Sequence, residues 1–445
     1  MKTPNVRKGT GDLSSGMLCE TGSALPLVLV ILVVVSFLGY GLLTLGTATG
    51  IEASKEVVAA GAFWAGEAGI EHAKAVAREN RRPFDELGLI GTSVLTGTLG
   101  ENGKYTYSVD IGEDPGAIPG SRTKRFVVTS TGRARTGMGK TLQVFVETET
   151  FASYMHASHY EETADGTNIY FGPNDILDGP VYTNDELNIY GGARILGLTR
   201  SAAESVNYQY GATSDTFEGG LDLGVPPLQF SEQFGPNHID KVAEAADNGG
   251  LALSGTYWLV FNSDGTVTYR RWTGRRWGAP ETTALDTLNG AIYVDGDAYV
   301  EGTVDGQVSV ASGDDMYLTG DLRYESAIDP SPFDGDFDPM NVDDTLGLVA
   351  RDRVEIYDRY EIDVHAAILV TEGDDGFGAR YRYSWIGEPA INLYGSVAQY
   401  RRGVVGRSNG QGFRKNYKYD TRFLSSPPPH YPFTSYRFYG WQEVL

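Results

Sequence analysis

Cysteine is almost missing from this sequence, and its scarcity excludes several classes of protein. The 445 residues include one cysteine, Cys19, and six histidines. A disulfide framework needs pairs of cysteines, and cysteine-rich zinc or iron–sulfur sites need several thiolates, so both are excluded. The glycine patterns of Walker and dinucleotide-binding loops are missing as well.

Positive charge is also scarce. Lysine and arginine total 36 against 58 aspartates and glutamates, which gives a formal net charge of −22. Because neutralising phosphates requires a basic face, no nucleic-acid partner is expected, and general adhesion to an anionic bilayer is not expected either. The abundant residues are glycine, at 57, and tyrosine, at 27. Glycine with β-branched and aromatic residues is typical of a turn-dense β protein.

Charged residues are absent between Glu20 and Glu52. Residues 23–47 hold fifteen leucines, isoleucines, valines and phenylalanines, and about 20 apolar residues suffice to span a bilayer. Basic residues precede this segment and an acidic residue follows it, so the positive-inside rule predicts a cytoplasmic N-terminus and export of the remainder. The alternative is a secretory signal peptide cut after residues 46–48, but its apolar region would be only about 7–15 residues long.

The helical pattern continues past the apolar segment until Pro83 ends it. Residues 52–82 are rich in alanine, and they place small or apolar side chains on one stripe with charged side chains opposite. We therefore predict one helix over 23–82, about 90 Å long, with its transmembrane half at 23–47 and an amphipathic second half.

Two strings, one at the start of this helix and one within its second half, resemble the N-terminal segment of type IV pilin-like proteins, specifically of PilX-type minor pilins. The resemblance lies in the string GSAL at 22–25 and in AFWAGEAGIE at 62–71, which is similar to the family's A-x-x-A-E-A-G motif. It implies that a prepilin peptidase removes a leader, residues 1–22, by cutting between Gly22 and Ser23. It also implies assembly with other pilins into a type IV pilus or pseudopilus.

One position departs from the family pattern. Major pilins carry a glutamate five residues into the mature chain, and Leu27 stands there in this sequence. The resemblance implies that the glutamate pairs with the amino terminus of a neighbouring subunit, and some minor pilins and tip-initiating pseudopilins also lack it. We therefore expect a low-copy or tip subunit.

Two β regions are predicted after the helix. Residues 83–152 alternate as strands between glycine turns, which indicates a small antiparallel sheet of the pilin type. In residues 153–445, short apolar pairs recur between glycine or aspartate turns, which favours the stacked coils of a β-solenoid, with an irregular β-sandwich as the alternative. Residues 230–286 are predicted to interrupt these rungs as an insertion. The predicted fold class is mainly β with a long N-terminal helix, a pilin-like α+β unit followed by the β-solenoid.

The second β region also resembles an uncharacterised β domain that is attached to pilin-like N-termini. The resemblance rests on GPVYTN at 179–184, LGLVA at 346–350 and YKYDTR at 417–422. It covers most of 155–445 and implies an architecture without a defined activity.

The dense basic and aromatic run of this acidic chain lies within residues 270–277. Arginine forks and tryptophan faces are enriched at interfaces, so the run is a candidate surface for a glycan, an anion or a surface receptor. The alternative is a hairpin whose indoles are core and whose arginines neutralise nearby acids. The candidate residues are Arg270, Arg271, Trp272, Arg275, Arg276 and Trp277.

An aspartate-rich loop is the candidate metal site. Asp334, Asp336 and Asp338 place three carboxylates at alternate positions, and oxygen-rich loops of this kind suit Ca²⁺. The twelfth position of such a loop normally supplies a bidentate glutamate, and here it is Thr345. An acidic, solvated turn is the alternative interpretation.

Two other patterns are interpreted as structural. His156 and His159 with Glu161 and Glu162 lack the spacing of a helical zinc site, and we expect them at a solvated strand edge. The G-x-S-x-G string at 406–410 lies among further glycines, which indicates a loop and not the strand–turn–helix of a nucleophile elbow.

These observations predict a non-enzymatic subunit without cofactors other than the candidate calcium. It would be anchored in the inner membrane, with its bulk in the periplasm or, after filament assembly, at the cell surface, and its β domain would serve adhesion or assembly. The alternative function is a membrane-tethered carbohydrate-active enzyme, whose paired carboxylates would face each other across a groove.

Overall fold

The computed structural model describes residues 24–80, 82–117, 121–173, 175–230, 238–357, 360–380, 389–407 and 411–444. Within these ranges there are two α-helices, α1 (Ala24–Asn80) and α2 (His238–Asp247), and 27 strands. The strands are β1 (Gly91–Leu99), β2 (Tyr105–Glu113), β3 (Arg125–Ala134), β4 (Gly139–Thr150), β5 (His156–Tyr160), β6 (Ile176–Asp178), β7 (Val181–Thr183), β8 (Leu187–Tyr190), β9 (Arg194–Ile195), β10 (Thr199–Ser201), β11 (Val206–Gln209), β12 (Leu221–Leu223), β13 (Leu251–Leu253), β14 (Tyr257–Asn262), β15 (Thr266–Arg271), β16 (Glu281–Ala284), β17 (Ala291–Val294), β18 (Ala298–Val304), β19 (Gln307–Ser312), β20 (Met316–Tyr324), β21 (Thr345–Ala350), β22 (Arg353–Ile356), β23 (Ile362–Val370), β24 (Gly376–Ala379), β25 (Ala390–Arg401), β26 (Arg414–Tyr419) and β27 (Phe433–Val444). A long N-terminal helix followed by a mainly β chain confirms the predicted fold class.

Helix α1 is 57 residues long, or about 85 Å at 1.5 Å per residue. Its N-terminal half is exposed; the side chains of Leu25, Phe37 and Ile51, for example, are 79%, 73% and 57% exposed. Among the described residues, α1 is the helix long and apolar enough to cross a membrane, and none of its most apolar window is buried. Within the part of the chain that the structure describes, this half of α1 therefore packs against no other element.

The second half of α1 packs on a five-stranded antiparallel sheet with the order β1-β2-β3-β4-β27. Strands β1 to β4 lie inside the predicted pilin-like sheet at 83–152. The edge strand β27 comes from the other end of the chain, and its Phe433 pairs with Thr150 of β4. The C-terminal strand departs from the predicted division, in which all of 153–445 belongs to the second domain, because it pairs with the first sheet.

Small residues allow the helix to approach this sheet closely. On α1, Ala62, Gly66 and Gly69 are buried. A methyl group added to Gly132 of β3 would lie 2.0 Å from the carbonyl oxygen of Ala62 and 2.3 Å from the nitrogen of Gly66. One added to Gly69 would lie 2.1 Å from the Oγ of Ser130. We call this contact of Ala62, Gly66 and Gly69 with Ser130 and Gly132 the helix–sheet joint.

Most of the remaining strands build a stack of parallel coils. Ten of them pair side by side in parallel, in the order β12, β10, β7, β5, β25, β23, β21, β19, β17, β13. Nine spacings of about 4.8 Å give this face a length of about 43 Å. The pairings are parallel, as stacked coils require, whereas a sandwich is built from antiparallel sheets.

The order of the coils differs from the order of the chain. The chain enters the stack in its middle at β5 and proceeds to one end at β12. It then resumes at the opposite end, at β13, and winds back to the middle, where β25 pairs with β5. The stack is therefore continuous in space but starts and finishes in its centre, with β26 leading out toward β27.

The predicted insertion at 230–286 is partly a component of the stack. Strands β13 and β14 pair in parallel with β17 and β18 and so form its end coil. Helix α2 buries Ile239, Val242 and Ala246 and packs against β13, β17 and β19. Strands β15 and β16 add an antiparallel extension, in which β15 pairs with β14 and β16 pairs with β15. Residues 231–237 lie outside the described residues.

Candidate functional site

The basic and aromatic run forms a hairpin that projects from the end coil. In the register of β14 and β15, Trp258 pairs with Arg270. Beyond β15, Trp272 and Trp277 form an antiparallel bridge, and the tip between them closes through a hydrogen bond from the Thr273 amide to the Arg276 carbonyl (3.0 Å). Gly274 has φ +84°, a conformation that favours glycine. We call residues 270–277 the arginine hairpin.

The four arginines of this hairpin are exposed. Within the part of the chain that the structure describes, none of them lies within 4.0 Å of a carboxylate, whereas other arginines pair readily, such as Arg353 with Asp315 at 2.6 Å. The prediction that they neutralise nearby acids is therefore wrong for the described residues. Trp272 is 40% exposed and Trp277 is half-buried, so neither indole is fully core.

An aromatic row continues from this hairpin along the outer face of the coils. Trp277 contacts Tyr299, with ring centroids 5.4 Å apart, and Tyr299 stacks on Tyr317 at 4.7 Å. Tyr317 contacts Tyr357 at 6.0 Å, and the guanidinium of Arg380 lies 4.4 Å from the Tyr357 ring centroid. We call these rings, with Trp258 and Trp272, the aromatic row.

Sequence reasoning missed most of the aromatic row, although a signal was present. Tyr299 and Tyr317 both follow the first residue of a strand and precede an inward aliphatic residue, and their strands pair in register. Aligning the rungs by their buried residues would have placed both tyrosines on one outer face.

The predicted calcium ligands serve local turns. Asp334 accepts a hydrogen bond from the Ser331 amide (2.9 Å), and Asp338 accepts one from the Met340 amide (3.0 Å). Asp336 is exposed. The structure does not bring these three carboxylates together as a ligand set, because two of them cap the backbone of separate turns.

A different acidic group does come together, at a corner between coils. Oxygens of Asp314, Asp315 and Asp352 lie within 4.8 Å of one another. Asp315 is already bound by Arg353 and by the hydroxyl of Tyr317 (2.9 Å). Burial and then the neighbouring Asp314 raise the pKa of Asp352. The corner is thus a partly neutralised acidic ridge, which sequence reasoning missed because its members come from two different turns.

His156 and Glu161 form a buried polar cluster at the place where β5 meets β25. Glu161 is fully buried, and it pairs with the guanidinium of Arg402 at 2.5 Å and with the Nε2 of His156 at 3.2 Å. The hydroxyl of Ser158 also donates to Glu161. The prediction of a solvated strand edge is wrong for His156 and Glu161, because Arg402 arrives from 241 residues away. We call this cluster the coil seam.

The ionisation of the coil seam follows from these contacts. Burial opposes the charge on Glu161, but Arg402 and the hydrogen bonds from His156 and Ser158 outweigh it, and the pKa of Glu161 falls to about 2. Burial lowers the pKa of His156. The cluster therefore holds a carboxylate–guanidinium ion pair beside an imidazole whose protonation is disfavoured, which suits cohesion between coils.

Two predicted features extend beyond the described residues. Gly22 and Ser23 lie outside them, immediately before α1, while Leu27 lies inside α1 and is 62% exposed. In the G-x-S-x-G string, Gly406 forms an antiparallel bridge with Gly412, and residues 408–410 lie outside the described part.

Comparison with known proteins gives one structural likeness. No family model matches the chain, and a search of curated proteins finds no relative. Among solved structures, the competence-associated pilin ComZ from Thermus thermophilus is similar, with 12% sequence identity and a TM-score of 0.31 over 87% of this chain and 98% of that chain. At this identity and TM-score, the likeness assigns neither a family nor an activity.

Proposed function

We propose that this chain is a pilin-like subunit of a type IV pilus or pseudopilus, held in the inner membrane by α1 before assembly. The observation that carries the proposal is the division of α1. Its second half is fastened to an antiparallel sheet, while its first half is apolar and uncovered. An exposed apolar helix of this length requires a lipid bilayer or neighbouring helices as its surroundings.

The proposal includes a low-copy or tip position and a non-catalytic β domain that is displayed for adhesion or assembly. Leu27 supports the first part, because it cannot offer a carboxylate to a neighbour's ammonium group, and an unpaired charge in the membrane is costly. For the second part, the cluster of three acids that the described residues form, Asp314, Asp315 and Asp352, sits on a corner between coils, whereas glycoside hydrolysis needs two carboxylates across a groove.

The experiment that tests the proposal is determination of the mature N-terminus by mass spectrometry of membrane-extracted protein. We expect Ser23, and we expect Gly22→Ala to slow maturation severely. A terminus near Thr49 would indicate a secretory signal instead and would refute the pilin-like assignment. Quantitative labelling of purified filaments then measures copy number; we expect a small fraction of the major subunit, and dominance of this chain would refute the minor position.

A further inference from the structure

We infer that the arginine hairpin binds an acidic polysaccharide, with its guanidinium groups on the sugar carboxylates and the exposed indole against the sugar ring. The inference rests on the proposed function in one respect, that the β domain is displayed outward. The binding itself belongs to the hairpin and can be measured without a filament.

The first argument is the placement of charge. The chain carries 58 acidic residues, yet Arg270, Arg271, Arg275 and Arg276 have no carboxylate within 4.0 Å in the described ranges, and all four are exposed. An arginine without an internal partner keeps its planar fork of donors free for a carboxylate, which it binds with two parallel hydrogen bonds. Four such forks lie within seven residues, and Arg271, which pairs with Tyr257, projects to the opposite face from Arg270. Arg270 and the two tip arginines, Arg275 and Arg276, form a local site for anionic groups.

The second argument is the shared face. Paired residues of antiparallel strands project to the same side, so Arg270 and Trp258 share the outer face, and Trp272, two residues along, joins them. Trp272 meets Trp277 nearly edge-on, at an interplanar angle of 63°, and 40% of its surface is exposed. An apolar ring beside a guanidinium matches a sugar ring that carries a carboxylate.

The third argument is the shape of the surface. The aromatic row runs from the hairpin across four coils, from Trp258 to Tyr357, which is about 14 Å at the spacing of strands. Arg380 lies at its far end. Tyr299 and Tyr317 stack on each other and so present ring edges along this path. An elongated strip fits a linear polymer better than a single small anion. Because the Tyr317 hydroxyl donates to Asp315 at the acidic corner, the carboxylates of the polymer meet the hairpin arginines and not the middle of the row.

Charge density favours a polysaccharide over nucleic acid. Duplex DNA carries one negative charge per about 1.7 Å, and a chain with a net charge of −22 repels it beyond the hairpin. A polymer with one carboxylate on each sugar has a lower charge density and can meet the arginines without the same repulsion.

The test measures binding of the full-length chain, in a non-ionic detergent, to immobilised polygalacturonate. We expect saturable binding that weakens as salt is added, and at least a tenfold loss of affinity in the Arg275→Ala/Arg276→Ala variant. These side chains lie at the exposed tip, so the variant is expected to fold, as circular dichroism and thermal unfolding will verify. Arg275→Lys/Arg276→Lys keeps the charge without the fork, and we expect an intermediate affinity.

A matched control removes the same charge elsewhere. Arg133 of β3 and Arg135, in the turn that follows β3, are exposed, and Arg133→Ala/Arg135→Ala should bind polygalacturonate like the wild type. If the hairpin variant and the control variant lose the same affinity for polygalacturonate, net charge explains the effect and the inference is overturned. Equal binding to neutral dextran, preference for duplex DNA, or self-association in sedimentation that the tip variant abolishes would also overturn it. If the chain is processed at Ser23 but does not bind polygalacturonate, the binding site is refuted and the proposed function is not. If it binds polygalacturonate but is not processed at Ser23, the proposed function is refuted and the binding site is not.

Discussion

The helix–sheet joint and the coil seam both connect distant parts of the chain, but their chemistry is opposite. At the helix–sheet joint, Gly66, Gly69 and Gly132 have no side chains, so the helix and the sheet approach each other closely. At the coil seam, Arg402 and Glu161 contribute two fully buried charges. The first contact depends on small residues that let the backbones approach, and the second depends on a pair of opposite charges.

The difference follows from how many alternative strand pairings each contact must exclude. Along the coils, one inward row places Ile292, Val310, Leu348, Ile368 and Val397 in register, and His156 follows them at the seam. Aliphatic rungs resemble one another, so burial alone would not distinguish the correct neighbour of β5. We interpret the ion pair as the element that fixes this pairing, since buried polar groups serve specificity in several proteins.

Removing one charge from the coil seam should have the largest effect. Arg402→Ala leaves the Glu161 carboxylate buried without its partner, and we expect the free energy of unfolding to fall by about 3–5 kcal/mol. Denaturant unfolding of the full chain in detergent measures this. In the Arg402→Met/Glu161→Leu variant, where no charge remains, much of the loss should be recovered; an equal or larger loss would show that the seam depends on charge for stability itself.

Adding one methyl group to the helix–sheet joint should have the next largest effect. The Cβ of Gly132→Ala meets backbone atoms of α1 that cannot rotate away, and we expect a loss of about 1–3 kcal/mol. Gly112→Ala in β2 is the matched control, because its Cβ meets nothing within 4 Å. If both substitutions cost the same, strand propensity and not helix approach would explain the result.

Acid should weaken the coil seam in a defined pH range. The pKa of Glu161 is about 2 in the folded chain and 4.5 when unperturbed, so the unfolded state takes up this proton first as the pH falls. The stabilisation from Glu161 is therefore complete above pH 4.5 and is lost progressively toward pH 2. Comparing wild type with Glu161→Gln over this range isolates the contribution; parallel stability curves would contradict it.

An exposed ion pair in the same stack should have the smallest effect. Arg194 and Glu218 lie 2.6 Å apart, and both side chains are about half exposed. Solvent screens such a pair, so Arg194→Ala should leave the melting temperature unchanged within error. A loss comparable to that of Arg402→Ala would show that burial does not distinguish the two pairs.

Local patterns in the sequence were sufficient to predict the helices and strands, but not to predict which strands pair with each other. The apolar run and Pro83 predicted α1 to within two residues of its observed end, and the recurring apolar pairs predicted the rungs. The sequence could not predict that β27 pairs with β4 or that the chain enters the stack in its middle. Alternating side chains indicate a strand but not the strand with which it pairs.

The candidate sites also differ in whether their residues are contiguous in sequence. The arginine hairpin is contiguous in sequence, so its composition alone identified it. The coil seam joins Glu161 to Arg402, and the acidic corner joins Asp314 to Asp352, so both require a known register. For Glu161, an acidic residue read as solvated turned out to be fully buried, since its partner lies in the last coil.

Because the chain enters and leaves the coil stack in neighbouring coils and returns to the first sheet, the stack is attached to the helix-bearing unit by two covalent links. One follows Thr150 and the other precedes Phe433, and these residues pair with each other. A protease that cuts either link leaves the other intact, and the two fragments remain joined through the β4–β27 ladder. The domain is thus resistant to being shed by a single cleavage, a property that a simple head-to-tail arrangement of domains would not provide.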